Sequence, residues 1–368
     1  MAGGVERVLT LKANYFADVD GFDITIVLTE GKDKPFFYPL SNKIKVVNLN
    51  IGFEELWACS FLKKIIVYVF KQYLFKKRLS QELMRIRPDI TISLLRREIN
   101  FINNIKDGSK KIGELHVNRS NYRNFEANDS NYIKNFFSKL WMRDLVSNIR
   151  KLDRFVVLTE EDKKQWGELN NVISISDPVT FFPNQVSSLQ NKRVLAVGRY
   201  VYQKGFDLLL QSWSKIERKY PDWKLEIYGS GNRSYYEQLI IDHGIDASRC
   251  LLNGPSADIK KEYLNSSIFV FSSRFEGFGM VLVEAMACGL PVISFDCPCG
   301  PRDIISNEED GLLVKNGNVD ELAYALTELM NDSSLRSKMA MAGRRNVERF
   351  KLEYIAKKWE SLFDELYE

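Results

Sequence analysis

The chain of 368 residues carries 45% hydrophobic and 12% aromatic side chains, a composition that excludes disorder and leaves room for two α/β domains of ordinary size. No apolar run approaches the ~20 residues needed to span a bilayer, no signal peptide is visible, so a cytoplasmic location is expected, and the five scattered cysteines argue against a disulfide framework. The net charge of +4 is uneven, with 29 Lys and Arg against 22 Asp and Glu in residues 1–180 and 23 against 26 in the rest, a balance too mild for a nucleic-acid partner.

Strand-like runs alternate with helical runs throughout, the pattern of a parallel α/β architecture. In the first half, strands are expected at Phe22–Leu28, Lys43–Leu49, Asp89–Leu95, Lys111–His116 and Arg154–Thr159, with helical stretches between them. One such stretch, Phe61–Ser80, holds six basic residues and no acidic one. It reads either as an amphipathic helix with a solvated lysine face or as a peripheral contact with an anionic membrane leaflet. Val172–Ser176 then leads into Asp177-Pro178, and the polar segment to about Gln190 reads as an interdomain linker. Strands resume at Arg193–Val197, Lys224–Tyr228, Leu251–Asn253, Ile268–Phe271, Val292–Phe295 and Gly311–Val314. Helices are expected at about Phe206–Lys219, Tyr235–His243, Asp258–Leu264 and Val281–Cys288, and the tail from Val319 reads as three charged amphipathic helices. The expected division is an N-terminal domain over 1–180, a second over 190–350, and a final helix at 351–368 returning toward the first.

This order implies two Rossmann-like domains with an interdomain cleft, in which ligands bind outside the carboxyl ends of the strands. The strand Arg193–Val197 runs into Gly198, Arg199, Lys204 and Gly205. Arg offers a planar fork and Lys a movable point charge, so two cations on one such loop suit a diphosphate, the alternative being a solvated basic loop. Tyr228-Gly229-Ser230-Gly231 permits close backbone approach but does not complete a dinucleotide fingerprint. The stretch from Arg274 to Ile305 is the most informative. Glu276 lies in a loop with Gly277, Phe278 and Gly279; Met280 and Val281 open a helix that carries Glu284. The two glutamates could form an acid–base pair, but one in a loop and one inside the helix better address different parts of a long ligand, each accepting from vicinal hydroxyls. The helix start supplies an anion site between them. Cys297-Pro298-Cys299 lacks a second pair with ligand spacing, so two buried or loop thiols is the plainer reading and no metal site is expected.

The pieces GRYVYQKGFDLLL, YGSG and FEGFGMVLVEAMACGLPVISFDCPCGPRDI with its trailing DGLLV closely resemble glycosyltransferase family 4, the retaining nucleotide-sugar transferases of GT-B fold. They span most of Arg193 to Asn331. The first half matches more weakly, through AGGVERV, ELH at Glu114–His116 and VVLTEEDK at Val156–Lys163. The resemblance implies that Arg199 and Lys204 hold the donor diphosphate, that Glu276 lies beside the donor sugar, and that Glu284 binds the ribose hydroxyls. It implies that Gly277 to Val281 contact sugar and phosphate, with Gly198 and Gly229 lining the nucleotide site, and that Gly3 and Gly4 form a loop beside the donor. His116 resembles a histidine near the transferred sugar, a plain strand-end histidine being the alternative.

Three departures stand out. The family begins with a strand before the Gly-Gly pair, so the first strand is expected to be missing here. Asp303 stands where a glutamate is commoner, and Asp177-Pro178 replaces Asn-Pro. The implied activity is transfer of a hexose or N-acetylhexosamine from a nucleotide-diphosphate sugar, UDP-linked by expectation, without metal or other cofactor. The implied acceptor is a glycan or polyprenyl-linked oligosaccharide in surface-polysaccharide synthesis. A GT-B-fold UDP-sugar 2-epimerase and a non-catalytic nucleotide-sugar-binding protein are the competing classes.

Overall fold

A computed structural model describes residues 3–31, 34–58, 60–122 and 132–368. Cys59 lies outside them. The chain forms two compact units. The first comprises Met1–Leu158, Asp162–Ile175 and Ala356–Glu368, the second Thr159–Glu161 and Ser176–Ile355.

The first unit opens with a helix, α1 (Gly4–Asp18), followed by the parallel pair β1 (Thr25–Leu28) and β2 (Lys45–Asn48). A long helix, α2 (Phe61–Ile86), leads to β3 (Ile90–Ser93) and β4 (Lys110–Glu114). Then come α3 (Tyr132–Ile149), β5 (Arg154–Val157), α4 (Glu160–Gln165) and β6 (Val172–Ser174). Strands β3-β4-β5-β6 form a four-stranded parallel sheet in that order. The five strands expected in this half are all present, shortened at their ends. They do not form one sheet: β1 and β3 each pair on one side only. The burial follows. Residues of β1 are half-buried throughout and Ile92 of β3 is 40% exposed, whereas Phe155, Val156 and Val157 of β5 are fully buried, as strands covered on both faces should be. The described residues start at Gly3, the N-cap of α1.

The α1 spacing Val8, Lys12, Ala13, Phe16, Ala17 is a helical stripe, and all five are buried. Lys12 is a cation in an apolar position, which requires a counter-charge. Glu114, at the end of β4, supplies it, and the two form a buried ion pair. Burial alone would push the Glu114 carboxyl up, but the charges and hydrogen bonds of Lys12 and His116 outweigh it and hold the group down at about 2.

The second unit contains β7 (Arg193–Val197), α5 (Phe206–Ser214), β8 (Lys224–Tyr228), α6 (Ser234–Asp242), β9 (Cys250–Asn253), α7 (Ile259–Leu264) and β10 (Ile268–Phe271). It continues with α8 (Met280–Ala287), β11 (Val292–Asp296), α9 (Pro301–Ile304), β12 (Leu312–Lys315), α10 (Val319–Asn331) and α11 (Ser333–Asn346). Its six parallel strands run β12-β11-β10-β7-β8-β9. Here the sequence expectations hold closely: β7, β8 and β10 have the expected bounds. The helix expected over Phe206–Lys219 stops at Ser214 and resumes as one 3-10 turn, Glu217–Lys219. Phe206, Leu209, Leu210 and Trp213 recur at helical spacing and are buried against the sheet. Asn318 and Asp332 cap α10 and α11 with their side chains. The last helix, α12 (Leu352–Glu365), enters the first unit from Ala356 onward. There Trp359 lies 4.5 Å from the Lys12 ammonium and Phe363 packs on Phe16 and Phe22.

Candidate active site

The order of the second sheet reverses at β7: β8 and β9 follow on one side, β10 to β12 on the other. Connections on the two sides of such a point leave toward opposite faces, and a crevice opens at the carboxyl ends of the strands. The loops that meet there follow β7 and β10, which are hydrogen-bonded neighbours.

These two loops are stitched together. The Arg274 amide donates to the Gln203 carbonyl (2.8 Å), Ser272 Oγ donates to the Lys204 carbonyl (2.9 Å), and Gln203 Nε2 donates to the Phe275 carbonyl (3.1 Å). Arg274 braces the start of α5 through a two-pronged pair with Asp207 at 2.8 and 2.6 Å, its guanidinium lying 4.0 Å from the Tyr202 ring centre. Gly205 joins the 3-10 turn Tyr202–Lys204 to α5 at φ +59°, where a Cβ would stand 2.0 Å from the Ser272 carbonyl oxygen, so no other residue fits.

This framework sets Lys204 against Glu276. The ammonium and carboxylate are 2.6 Å apart, with side chains 15% and 9% exposed. Gln203 Nε2 donates to the other oxygen of Glu276 at 3.3 Å. Lys204 also lies 5.4 Å from the Phe271 ring centre and runs past Gly198, where a Cβ would meet its stem at 3.1 Å. Gly229 follows β8; a Cβ on it would fall 1.7 Å from the Gly198 carbonyl oxygen, so the turns after β7 and β8 nest through these two glycines. Arg199 is exposed on the same loop as Lys204, and among the described residues no ion pair joins it to Glu276.

Beyond Glu276, Gly277 and Phe278 form a bend and Gly279 caps α8. The amides of Met280 and Val281 thus lie at the positive end of the helix. The Phe278 ring is buried against Phe350, so any ligand contact it makes falls to its backbone. Glu284 is buried in α8, accepting from Thr180 Oγ1 and from Tyr263 Oη at 3.1 Å. Asp303 accepts from the Glu160 amide at 2.9 Å, and Glu161 from the Cys299 amide at 3.0 Å. Cys297 and Cys299 are buried thiols; burial, then the nearby Glu276 charge, pushes the Cys297 thiol well up.

The remaining candidates sit in the first unit. Gly3 caps α1, and its amide donates to the Glu6 carboxylate at 2.8 Å; Gly4 is the first helical residue. His116 Nε2 lies 3.3 Å from Glu114 Oε1 just past β4. Sequence reasoning missed Gln203, the Arg274–Asp207 brace, Thr180 and Tyr263. The brace joins residues 67 positions apart, so no local spacing announces it.

The sequence profile of the family described as Glycosyl transferases group 1 matches residues 180–346. An uncharacterized glycosyltransferase of Haemophilus influenzae is 30% identical over 374 residues, covering 98% of this chain and 96% of the relative. The chain belongs to the group 1 glycosyltransferases. The amylovoran biosynthesis glycosyltransferase AmsD of Erwinia amylovora is 32% identical to this glycosyltransferase over 223 residues, covering 58% of it and 62% of AmsD. Among solved structures, a Staphylococcus aureus TarM variant in complex with fondaparinux, α-GlcNAc-glycerol and UDP aligns over 98% of this chain and 97% of its own, with TM-score 0.73 and 18% identity. The fold is GT-B, with two Rossmann-like units.

Proposed function

We propose that this glycosyltransferase takes a UDP-linked hexose or N-acetylhexosamine and transfers it, with retention of configuration and without a metal ion, to a glycan or polyprenyl-linked oligosaccharide during surface-polysaccharide synthesis. The observation that carries the reading is the buried Lys204–Glu276 pair, built from the two loops at the switch point of the second sheet and adjoining the start of α8.

As the bond from sugar to diphosphate breaks, negative charge accumulates on the leaving phosphate. Lys204 has three donors, so one bond to Glu276 leaves two for phosphate oxygens. Arg199 adds a second cation and the first turn of α8 a third positive element. Attack from the face of departure, through an oxocarbenium-like state, lets the leaving phosphate take the acceptor's proton, and no protein nucleophile is nominated. Glu276 addresses the sugar hydroxyls. Glu284 gives two acceptor positions to Thr180 and Tyr263, and a carboxylate has about four, so capacity remains for ribose hydroxyls. UDP in the TarM complex supports the donor, and the role named for AmsD supports the acceptor class. The glycosyltransferase relatives weigh against the epimerase alternative.

The test is UDP release and sugar transfer across a panel of donors. Glu276→Ala and Lys204→Ala are expected to abolish transfer in folded protein, and EDTA to leave it unchanged. Full activity in either variant sinks the assignment. Conversion of the donor without any acceptor points to an epimerase instead.

A further inference from the structure

The basic segment Phe61–Ser80 admits two readings as a sequence, a solvated lysine face or a membrane contact, and side-chain exposure separates them. Helix α2 turns Phe75, Leu79 and Leu83 inward to the core of the first unit. Its buried Lys71 is consumed inward too, donating to the carbonyls of Ile51 and Gly52 at 2.8 and 2.6 Å and pairing with Glu55 at 2.9 Å. The opposite face is not a lysine face. Ile66, Val69, Phe70 and Tyr73 are 71%, 62%, 63% and 64% exposed. Their spacing of i, i+3, i+4 and i+7 is that of one helical stripe. It runs for roughly 10 Å along the axis, with Ile65 exposed at its margin. Exposed lysines bracket it: Lys63 before, Lys76 and Lys77 after. The first acidic residue of the helix is Glu82.

We propose that this outward stripe of α2 docks the protein on an anionic phospholipid leaflet. A contiguous apolar stripe on a water-facing helix is unusual in a soluble surface and marks an interaction site. The lysines at both ends select the occupant. Their stems lie along apolar surface while the ammonium groups stay at headgroup level, and each adds attraction to a negatively charged leaflet. The helix lies in the interface rather than across it: among the described residues, no helix is long and apolar enough to cross a membrane. The inference needs neither the donor nor the acceptor reading above.

The experiment is vesicle flotation of the whole protein with phosphatidylcholine alone and with about one-third phosphatidylglycerol, a composition in the range where polybasic segments respond. Binding is expected to the anionic vesicles and to fall steeply with salt. Ile66→Asp with Phe70→Asp is expected to weaken it at least ~100-fold, and glutamine at Lys63, Lys76 and Lys77 on the order of 100-fold. These side chains are exposed, so the far-ultraviolet circular dichroism of both variants should match the wild type. Absence of binding to anionic vesicles, or equal binding by the Asp variant, overturns the proposal. So does a dimer in sedimentation analysis that the Asp substitutions dissolve, because the stripe is then a contact between copies. Vesicle binding without sugar transfer leaves this inference standing and removes the functional one.

Discussion

Replacing Lys12 by Met isolates the buried ion pair of the first unit. Met keeps the volume and removes the charge, leaving the buried Glu114 without its lysine partner. The carboxyl is held from its ordinary 4.5 down to about 2, and a difference of that size corresponds to about 3 kcal/mol of native-state stability at neutral pH. Removing one partner of such a pair costs roughly 3–5 kcal/mol, so Lys12→Met should unfold far more readily in urea at pH 7. A depressed carboxyl contributes stability above its unfolded value and loses it as the pH falls. The wild type should therefore lose this increment between about pH 4.5 and about pH 2, and the variant should show a flatter profile there. Lys12→Met combined with Glu114→Gln removes both charges and should recover most of the loss. The assay is urea unfolding, with hydrogen exchange of α1 and β4 peptides assigning the transition to the first unit. Wild-type stability of Lys12→Met at pH 7, or a double variant no more stable than the single, refutes the reasoning.

Glu284→Ala should raise the donor KM by roughly 10–100-fold, the loss of a charge-assisted hydrogen bond, with a smaller effect on kcat; an unchanged KM removes Glu284 from the donor site. Gly229→Ala drives a Cβ to 1.7 Å from the Gly198 oxygen, a clash with backbone that should cost at least ~3 kcal/mol and show as a lowered Tm. Burial holds the thiols of Cys250 and Cys288 up at about 12 and pushes that of Cys297 higher still. With Cys59→Ser as background, Ellman's reagent at pH 8 should therefore find almost no reactive thiol until the protein is unfolded.

The second unit was legible in the sequence because its strands are continuous apolar runs. Val194, Leu195 and Ala196, or Ile268 to Phe271, are buried on both faces and are bounded by polar or glycine residues. The helical overrun past Ser214 is a boundary that apolar periodicity does not mark. In the first unit the strands were legible, but the break between β1 and β3 was not, because strand patterns carry no information about which strands pair. The candidate site residues were picked out by type, whereas the Lys204–Glu276 pairing spans 72 positions and exists only through the β7–β10 adjacency. Lys12 did leave a signal, a lysine in register with Val8, Ala13, Phe16 and Ala17. Its partner lies 102 residues away, so the signal names a need for an anion without naming Glu114. The Phe61–Ser80 segment is apolar on both sides, and only the fold shows which side faces outward.

The return of α12 has a consequence for how the protein is made. Most of the first unit precedes the second in the chain, yet Trp359, which covers Lys12, and Phe363, which packs on Phe16, follow it. About 180 residues separate Ile175 from Ala356. At 5–20 residues per second, that is a delay of roughly 10–40 s. Throughout it, the α1 face that α12 will cover stays open to water, to chaperones and to other nascent chains, while the second unit is still being made. The α1 face, made before the second unit, is thus sealed only after it.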